Sequence, residues 1–168
     1  LSEREKYEQH VRLLMSEVNH RSKNLLAVVL SMARQTARAS SPENFVDHFS
    51  QRLLGLSASQ NLIVEGSWGG VDLQGLVLSQ LRHLGDEVQA DRIELDGPRI
   101  IVSPTAAEGI GMAMHELSTN ALKYGPLSGP NGGIKISWSV EDSSDAFQMR
   151  WEEHGGPAVS PPERTGFG

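Results

Sequence analysis

Three short stretches of this 168-residue chain combine residue types that could do chemistry. The first is Glu17-Val18-Asn19-His20-Arg21-Ser22-Lys23-Asn24-Leu25-Leu26. On a helix, Glu17 and Asn24 lie three residues before and four residues after His20, so they share its face. An imidazole beside a carboxylate and an amide can have one ring nitrogen oriented and the other free, as a nucleophile requires. Taken as periodicity alone, the same pattern is an ordinary solvated helix face. The second stretch runs from His115 to Gly125. Glu116, Asn120 and Lys123 fall at i, i+4 and i+7, forming one polar stripe. A carboxylate, an amide oxygen and an ammonium group suit a magnesium-bound triphosphate. Magnesium takes one or two protein oxygens beside phosphate and water, and lysine offsets phosphate charge. By spacing alone this too is common helix surface. The third stretch, Trp151-Glu152-Glu153-His154-Gly155-Gly156-Pro157, ends a strand in a tight turn. Its glycines allow backbone to come close to a bound molecule. Trp151 serves either a core or a ligand.

These residues need elements to hold them. The first 38 residues contain no Gly or Pro and read as one long helix. Val11, Leu14, Val18, Leu25, Val29 and Met32 step by threes and fours in a seam of heptad type. At about 100° per residue, His20 lies roughly 200° from Val18 and roughly 140° from Leu25, away from that seam. Ala39-Ser40-Ser41-Pro42 breaks the helix, and a second is predicted from Glu43 to Val64 with Phe45, Phe49, Leu53 and Leu56 on its apolar face. A hairpin of two such helices leaves its apolar stripe half exposed, and pairing with a second copy would complete a four-helix bundle. Glu65 to Gly70 marks a boundary. Beyond it the pattern is mixed. Asp72 is placed to cap a helix reaching about Leu84. Arg92 to Gly97 reads as a strand and turn, with Arg99 to Val102 as its partner. Thr105 and Glu108 are spaced as a capping box for a helix reaching Tyr124, which Gly125-Pro126 stops. Ile134 to Val140 and Phe147 to Trp151 alternate as a hairpin, and Gly155 to Gly168 reads as loop. The second half is thus an α+β layer, helices on a largely antiparallel sheet.

Composition narrows the function classes. Fifteen Lys and Arg against 21 Asp and Glu give a net charge of −6, which argues against nucleic acid as a partner. With no cysteine, disulfides, thiolate metal sites and a cysteine nucleophile are excluded, and a reducing compartment fits. His10, His48, His83 and His154 form no metal-ligand spacing. No apolar run reaches the ~20 residues needed to cross a bilayer, so this part of the protein is expected to be cytoplasmic without membrane contact. The chain begins at Leu1, so it is expected to be part of a longer protein.

The motifs together resemble a known family. Glu17-x-x-His20-Arg21-x-x-Asn24-x-Leu26 is similar to the phosphoacceptor box of the HWE and closely related histidine kinases. That resemblance implies that His20 receives the γ-phosphoryl group of ATP, with Glu17, Arg21 and Asn24 around it. The commoner histidine kinases have an acidic residue directly after the histidine, and Arg21 stands there in this chain. The proton acceptor is then Glu17, a residue of the ATP domain, or dispensable. His115 to Gly125 resembles the N box of the ATPase superfamily that also holds type II topoisomerases. It implies that Asn120 coordinates Mg²⁺, with Glu116 among the catalytic residues and a second candidate metal ligand. It also implies that His115, Lys123 and Tyr124 contact the nucleotide. Trp151-x-Glu153 resembles the other naming feature of the HWE family and implies that Glu153 or a nearby acid accepts a hydrogen bond from adenine, beside Gly155 and Gly156. Gly166-Phe167-Gly168 resembles the start of a second glycine box, which would put Gly166 and Gly168 near the phosphates. The chain ends there, so the ATP domain is expected to be incomplete.

The resemblance implies a multi-domain α and α+β protein. A dimerisation and phosphotransfer hairpin over residues 1–66 precedes an ATP-binding α/β sandwich of Bergerat (GHKL) type over residues 71–168. The ATP domain would swing about Ser67 to Gly70. The expected chemistry is autophosphorylation on His20, then transfer to an Asp of a response-regulator receiver domain. Signals would arrive from an upstream sensor domain in the same chain. The alternatives are a phosphotransfer and dimerisation module with a degenerate ATP domain, or an ATP-driven conformational machine that phosphorylates no histidine.

Overall fold

The computed structural model describes residues 2–66, 69–85 and 90–158. The chain divides into two compact units within its second helix, Leu1–Ser50 and Gln51–Gly168. Ser67 and Trp68 of the expected hinge, and the end of the chain with Gly166 and Gly168, lie outside the described residues.

In the first unit, α1 spans Glu3–Ala39 as one uninterrupted helix. Ser2 caps it reciprocally with Glu5: the Glu5 backbone N–H donates to the Ser2 hydroxyl at 3.3 Å, and the Ser2 N–H donates to the Glu5 carboxylate at 2.7 Å. At the other end the Ser40 N–H donates to the Thr36 carbonyl at 2.9 Å, and Ser40 then turns extended. The second helix, α2 (Pro42–Glu65), starts with proline in its first turn, where a missing N–H costs nothing. Hydrogen bonds from its own backbone N–H and from the Ser41 hydroxyl hold the Glu43 carboxyl below the usual range. Phe45 and Phe49 stack one turn apart, with centroids 5.6 Å apart. The seam read from the sequence is uneven in burial. Met32 is buried and Leu25 and Val29 are half-buried, but Val11, Leu14 and Val18 are exposed.

The second unit has an ordinary core. β1 (Val71–Asp72) leads into α3 (Leu73–Leu81), and the Asp72 carboxylate accepts from the Gly75 N–H at 3.0 Å as the expected cap. A 3₁₀ turn, Arg82–Leu84, extends α3 to the predicted end. β2 (Ile93–Asp96), β3 (Ile101–Val102), α4 (Pro104–Lys123), β4 (Gly133–Val140) and β5 (Phe147–His154) follow. Ile134, Ile136 and Trp138 alternate along β4 and are buried against Leu73, Leu76 and Val77 of α3 and Ala107, Met114 and Ala121 of α4.

Three sequence expectations change. β3 pairs with β1, not β2, because Pro98 and Arg99 carry the chain away and the Ile100 carbonyl accepts from Leu73 N–H instead. β2 lies parallel to β4, which is antiparallel to β5 in the order β2-β4-β5. The sheet is therefore mixed, and the helix between β2 and β4 makes the parallel crossover. The cap of α4 is Ser103, whose hydroxyl accepts from Ala106 N–H at 3.2 Å, with Pro104 in the first turn. Thr105 does not cap, and Glu108 instead accepts from Gln60 Nε2 at 2.7 Å. No helix among the described residues is long and apolar enough to cross a membrane.

Candidate functional site

The first candidate centre is built locally on α1. His20 is exposed. Asn24 Nδ2 lies 3.4 Å from its Nδ1, one turn on. Glu17 is on the same face, but its Oε1 accepts from Arg21 Nε at 2.6 Å. The carboxylate beside His20 is thus engaged with the cation that stands in the usual acidic position. Asn24 cannot take a proton, and Glu17, held by Arg21, is the base on this face. A surface hollow of about 550 Å³ lies alongside, lined by His20 with Val11, Arg12, Met15, Ser16, Asn19 and Lys23. Its two cations, Arg12 and Lys23, give it a positive character.

The second centre needs residues far apart in sequence. The end of α4, the loop after it and the end of β5 enclose a cavity of about 520 Å³. Asn120, Tyr124, Gly125 and Pro126 line one side, and Glu153 through Ala158 the other. Five of the predicted residues therefore meet: Asn120, Tyr124, Glu153, Gly155 and Gly156. Asn120 is half-buried and Tyr124 exposed. Trp151 is half-buried against the core, and its indole N–H donates to Glu153 Oε1 at 3.0 Å. Trp151 packs on the core and holds the carboxylate of Glu153, which faces the cavity. Gly155 has φ +67°, which a side chain adopts at a cost, and a Cβ there would sit 2.9 Å from the Asn131 carbonyl.

Three predicted residues sit elsewhere. His115 is buried, with its ring over Gly55 of α2, and it does not line the cavity. Glu116 forms an ion pair with Arg52 of α2 at 2.5 Å and does not line the cavity. Lys123 is exposed at the helix end, outside the cavity wall.

Sequence reading missed Arg92. Its Nε donates to the Gly132 carbonyl at 2.6 Å, and its Nη2 donates to the carbonyls of Pro126 at 2.9 Å and Gly129 at 2.5 Å. One guanidinium thereby ties down the loop after α4, which supplies Pro126 to the cavity. The only signal was an arginine at a strand start before an apolar alternation, a position where a fork of donors can reach several carbonyls.

The HWE histidine kinase family model matches residues 17–99, from Glu17 of the His20 box onward. A blue-light-activated histidine kinase of Brucella anthropi is 37% identical over 171 aligned positions, covering 100% of this chain and 35% of that protein. The protein of the same name from Brucella ovis is 39% identical over the same span and share. The family match and these relatives support an HWE-family histidine kinase. It spans about a third of the length of these relatives. Among solved structures, the Erythrobacter litoralis EL346 blue-light activated histidine kinase matches with a TM-score of 0.51. At 23% identity, over 89% of this chain and 48% of that one, this likeness shows a shared fold.

Proposed function

We propose that this chain is the catalytic core of a sensor histidine kinase that phosphorylates His20 with ATP and passes the phosphoryl group to an aspartate of a response-regulator receiver domain. The observation that carries the proposal is the convergence of the α4 box and the Trp151-x-Glu153 turn on one cavity, in a chain that also presents an exposed His20. About 520 Å³ lies within the range of small-ligand sites. The cavity supplies an amide oxygen for magnesium at Asn120, a carboxylate for an adenine amino group at Glu153, and close backbone at Gly155 and Gly156. The second unit would then be an ATP-binding domain of GHKL type, and the hairpin would pair with a second copy into a four-helix bundle.

Asn120 would hold Mg²⁺, which offsets phosphate charge during transfer. A lone pair of His20 attacks the γ-phosphorus, the bond to the β-bridging oxygen breaks, and ADP leaves with that electron pair. The imidazole proton passes to Glu17, to a residue of the ATP domain or to solvent. The positive hollow of Arg12 and Lys23 suits the acidic pocket of a receiver domain.

The test uses γ-labelled ATP with magnesium. The expected result is acid-labile label on the chain, lost in His20→Ala and reduced on the order of a hundredfold in Asn120→Ala, since positioning and charge neutralisation supply most of this catalysis. Absence of label in wild-type protein carrying the full-length ATP domain, under nucleotide saturation, rejects the kinase reading, and label that persists in His20→Ala rejects the assignment of the acceptor.

A further inference from the structure

Side chains alternate along β5, so Met149, Trp151 and Glu153 share one face of the sheet. Met149 and Trp151 pack against the core on that face, and Glu153 is the next residue along, where the face runs out into the cavity beside Asn120. The register of the hairpin fixes both positions. Trp151 lies opposite Ile136 and Glu153 opposite Ile134, and both isoleucines are fully buried. A long carboxylate at the rim of a core has several rotamers open to it. Here one oxygen is already taken, because the Trp151 indole N–H donates to Glu153 Oε1 at 3.0 Å. The other oxygen, Oε2, lies 3.3 Å from the point where a Cβ on Gly125 would stand. Gly125 and Glu153 both line the cavity, and the glycine leaves room there for Oε2. An indole N–H donates and cannot accept. The core holds the ring, so the ring decides which kind of atom of residue 153 it meets.

We infer that Trp151 sets the base preference of the cavity: by engaging one oxygen of Glu153, it commits the other to a ligand group that donates a hydrogen bond, such as the 6-amino group of adenine, and disfavours a purine with a 6-oxo group. The inference rests on the nucleotide site of the proposed kinase. Trp151 acts through Glu153 and is therefore a positioning residue. A carboxylate free to rotate could follow a 6-oxopurine and accept from its N1–H instead. One held by the indole is kept from following, and an oxo group brought to Oε2 sets acceptor against acceptor. An unpaired polar group of this kind is how a site rejects a ligand of nearly the same shape.

Glu153→Gln gives the decisive variant, because it leaves the core untouched. Glutamine has one acceptor and one donor group, and the indole can pair only with the oxygen. The side-chain NH₂ is then left to the cavity, where it suits a 6-oxo group. ATP and inosine triphosphate are compared, each with magnesium, by displacement of a fluorescent ATP analogue from protein carrying the full-length ATP domain. Wild type is expected to prefer ATP about tenfold, and Glu153→Gln to prefer inosine triphosphate about threefold. Trp151→Phe, and Trp151→Phe combined with Glu153→Gln, should both bring the ratio to within about twofold of unity, since either side chain can then rotate. Lost packing alone would weaken both nucleotides equally and leave the ratio where it was. A ratio unchanged in Trp151→Phe, or a Glu153→Gln variant that weakens both nucleotides alike, overturns the inference while ATP binding and label on His20 still support the kinase. Wild-type protein that binds neither nucleotide overturns the nucleotide site, and the base preference with it.

Discussion

The two units place their candidate residues by different means. His20 is approached from within its own helix, by Asn24 one turn ahead, with Glu17 and Arg21 paired one turn apart. The surrounding α1 surface is exposed, including Leu13 at 70%, Leu14 at 52% and Met15 at 63%. Around Asn120 the contacts are long-range, bringing α4, the loop tied by Arg92 and the end of β5 to one cavity over a buried core. A nucleophile that must meet one partner and then another gains from an open helix face. A site that grips a nucleotide gains from a wall that a core holds still. The exposed apolar residues of α1 are also what a partner helix pair would bury, in line with the proposed pairing of hairpins.

The largest expected effect sets the two regions against each other. Ile136 is fully buried at the centre of β4, and Ile136→Ala should cost about 2–5 kcal/mol of unfolding free energy through lost burial and a residual cavity. Leu14→Ala should change the same transition by less than about 0.5 kcal/mol in dilute protein, because Leu14 is 52% exposed. Urea unfolding followed by tryptophan fluorescence reads the second unit directly, since Trp138 and Trp151 lie on β4 and β5. A rise in the cost of Leu14→Ala with protein concentration would sharpen the contrast, showing that a second copy covers α1. Equal costs for both variants in dilute protein would break it.

Arg92→Ala should follow in size. Three carbonyls of the 126–132 loop lose a charged donor, each in a partly buried setting. Hydrogen bonds to charged groups are worth about 1.5–3 kcal/mol each and are not additive, so a loss of about 2 kcal/mol is expected. Arg92→Lys should recover little, because an ammonium cannot span three acceptors with the fixed fork of a guanidinium. Measured as nucleotide affinity by titration of a fluorescent ATP analogue, the same variant should weaken binding more than it destabilises the fold near β2. Unchanged affinity would detach this loop from the cavity's function.

What the sequence made legible follows the same division. The α1 helix, the break at Ser40 to Pro42, the Asp72 cap and the β4–β5 hairpin are set by neighbours within a few residues, and spacing rules read those directly. The face shared by Glu17, His20 and Asn24 was legible for that reason. The pairing of β2 was not, because its partner β4 lies about forty residues on and the nearer β3 satisfies the same alternation rule. Nor could spacing show that Glu116 turns to Arg52 while Asn120 faces the cavity. A polar stripe defines a helix face, but which parts of that face meet another helix is decided by packing, here by Gly55 and Gly111, where a Cβ would run into His115 and Ser59 of the facing helix. Arg92 escaped notice because its three acceptors are backbone carbonyls, which carry no residue identity.

The smallest expected effect tests the parallel β2–β4 pairing, the feature least visible in sequence. Lys135 on β4 donates to Glu94 on β2 at 2.7 Å, across directly registered positions. That hydrogen bond, with the attraction of the Glu94 carboxylate, raises the Lys135 pKa above its ordinary value. A lysine whose folded pKa is raised contributes stability that is complete below the unfolded value of about 10.4, and the contribution disappears as pH climbs through the higher folded value. Glu94 is 63% exposed, so solvent and salt screen the pair and its contribution is slight. A double-mutant cycle with Lys135→Gln and Glu94→Gln cancels the titration of other groups. The coupling between the two sites should be measurable in low salt at about pH 8, should shrink above about pH 10.5, and should vanish in molar salt. A coupling that survives both treatments would mean that the two side chains interact through packing rather than charge. No coupling at all would show that β2 and β4 are held together by their backbone ladder and the Ile134 and Ile136 face alone, which would place even the sheet's register on the buried side of the contrast between the two regions.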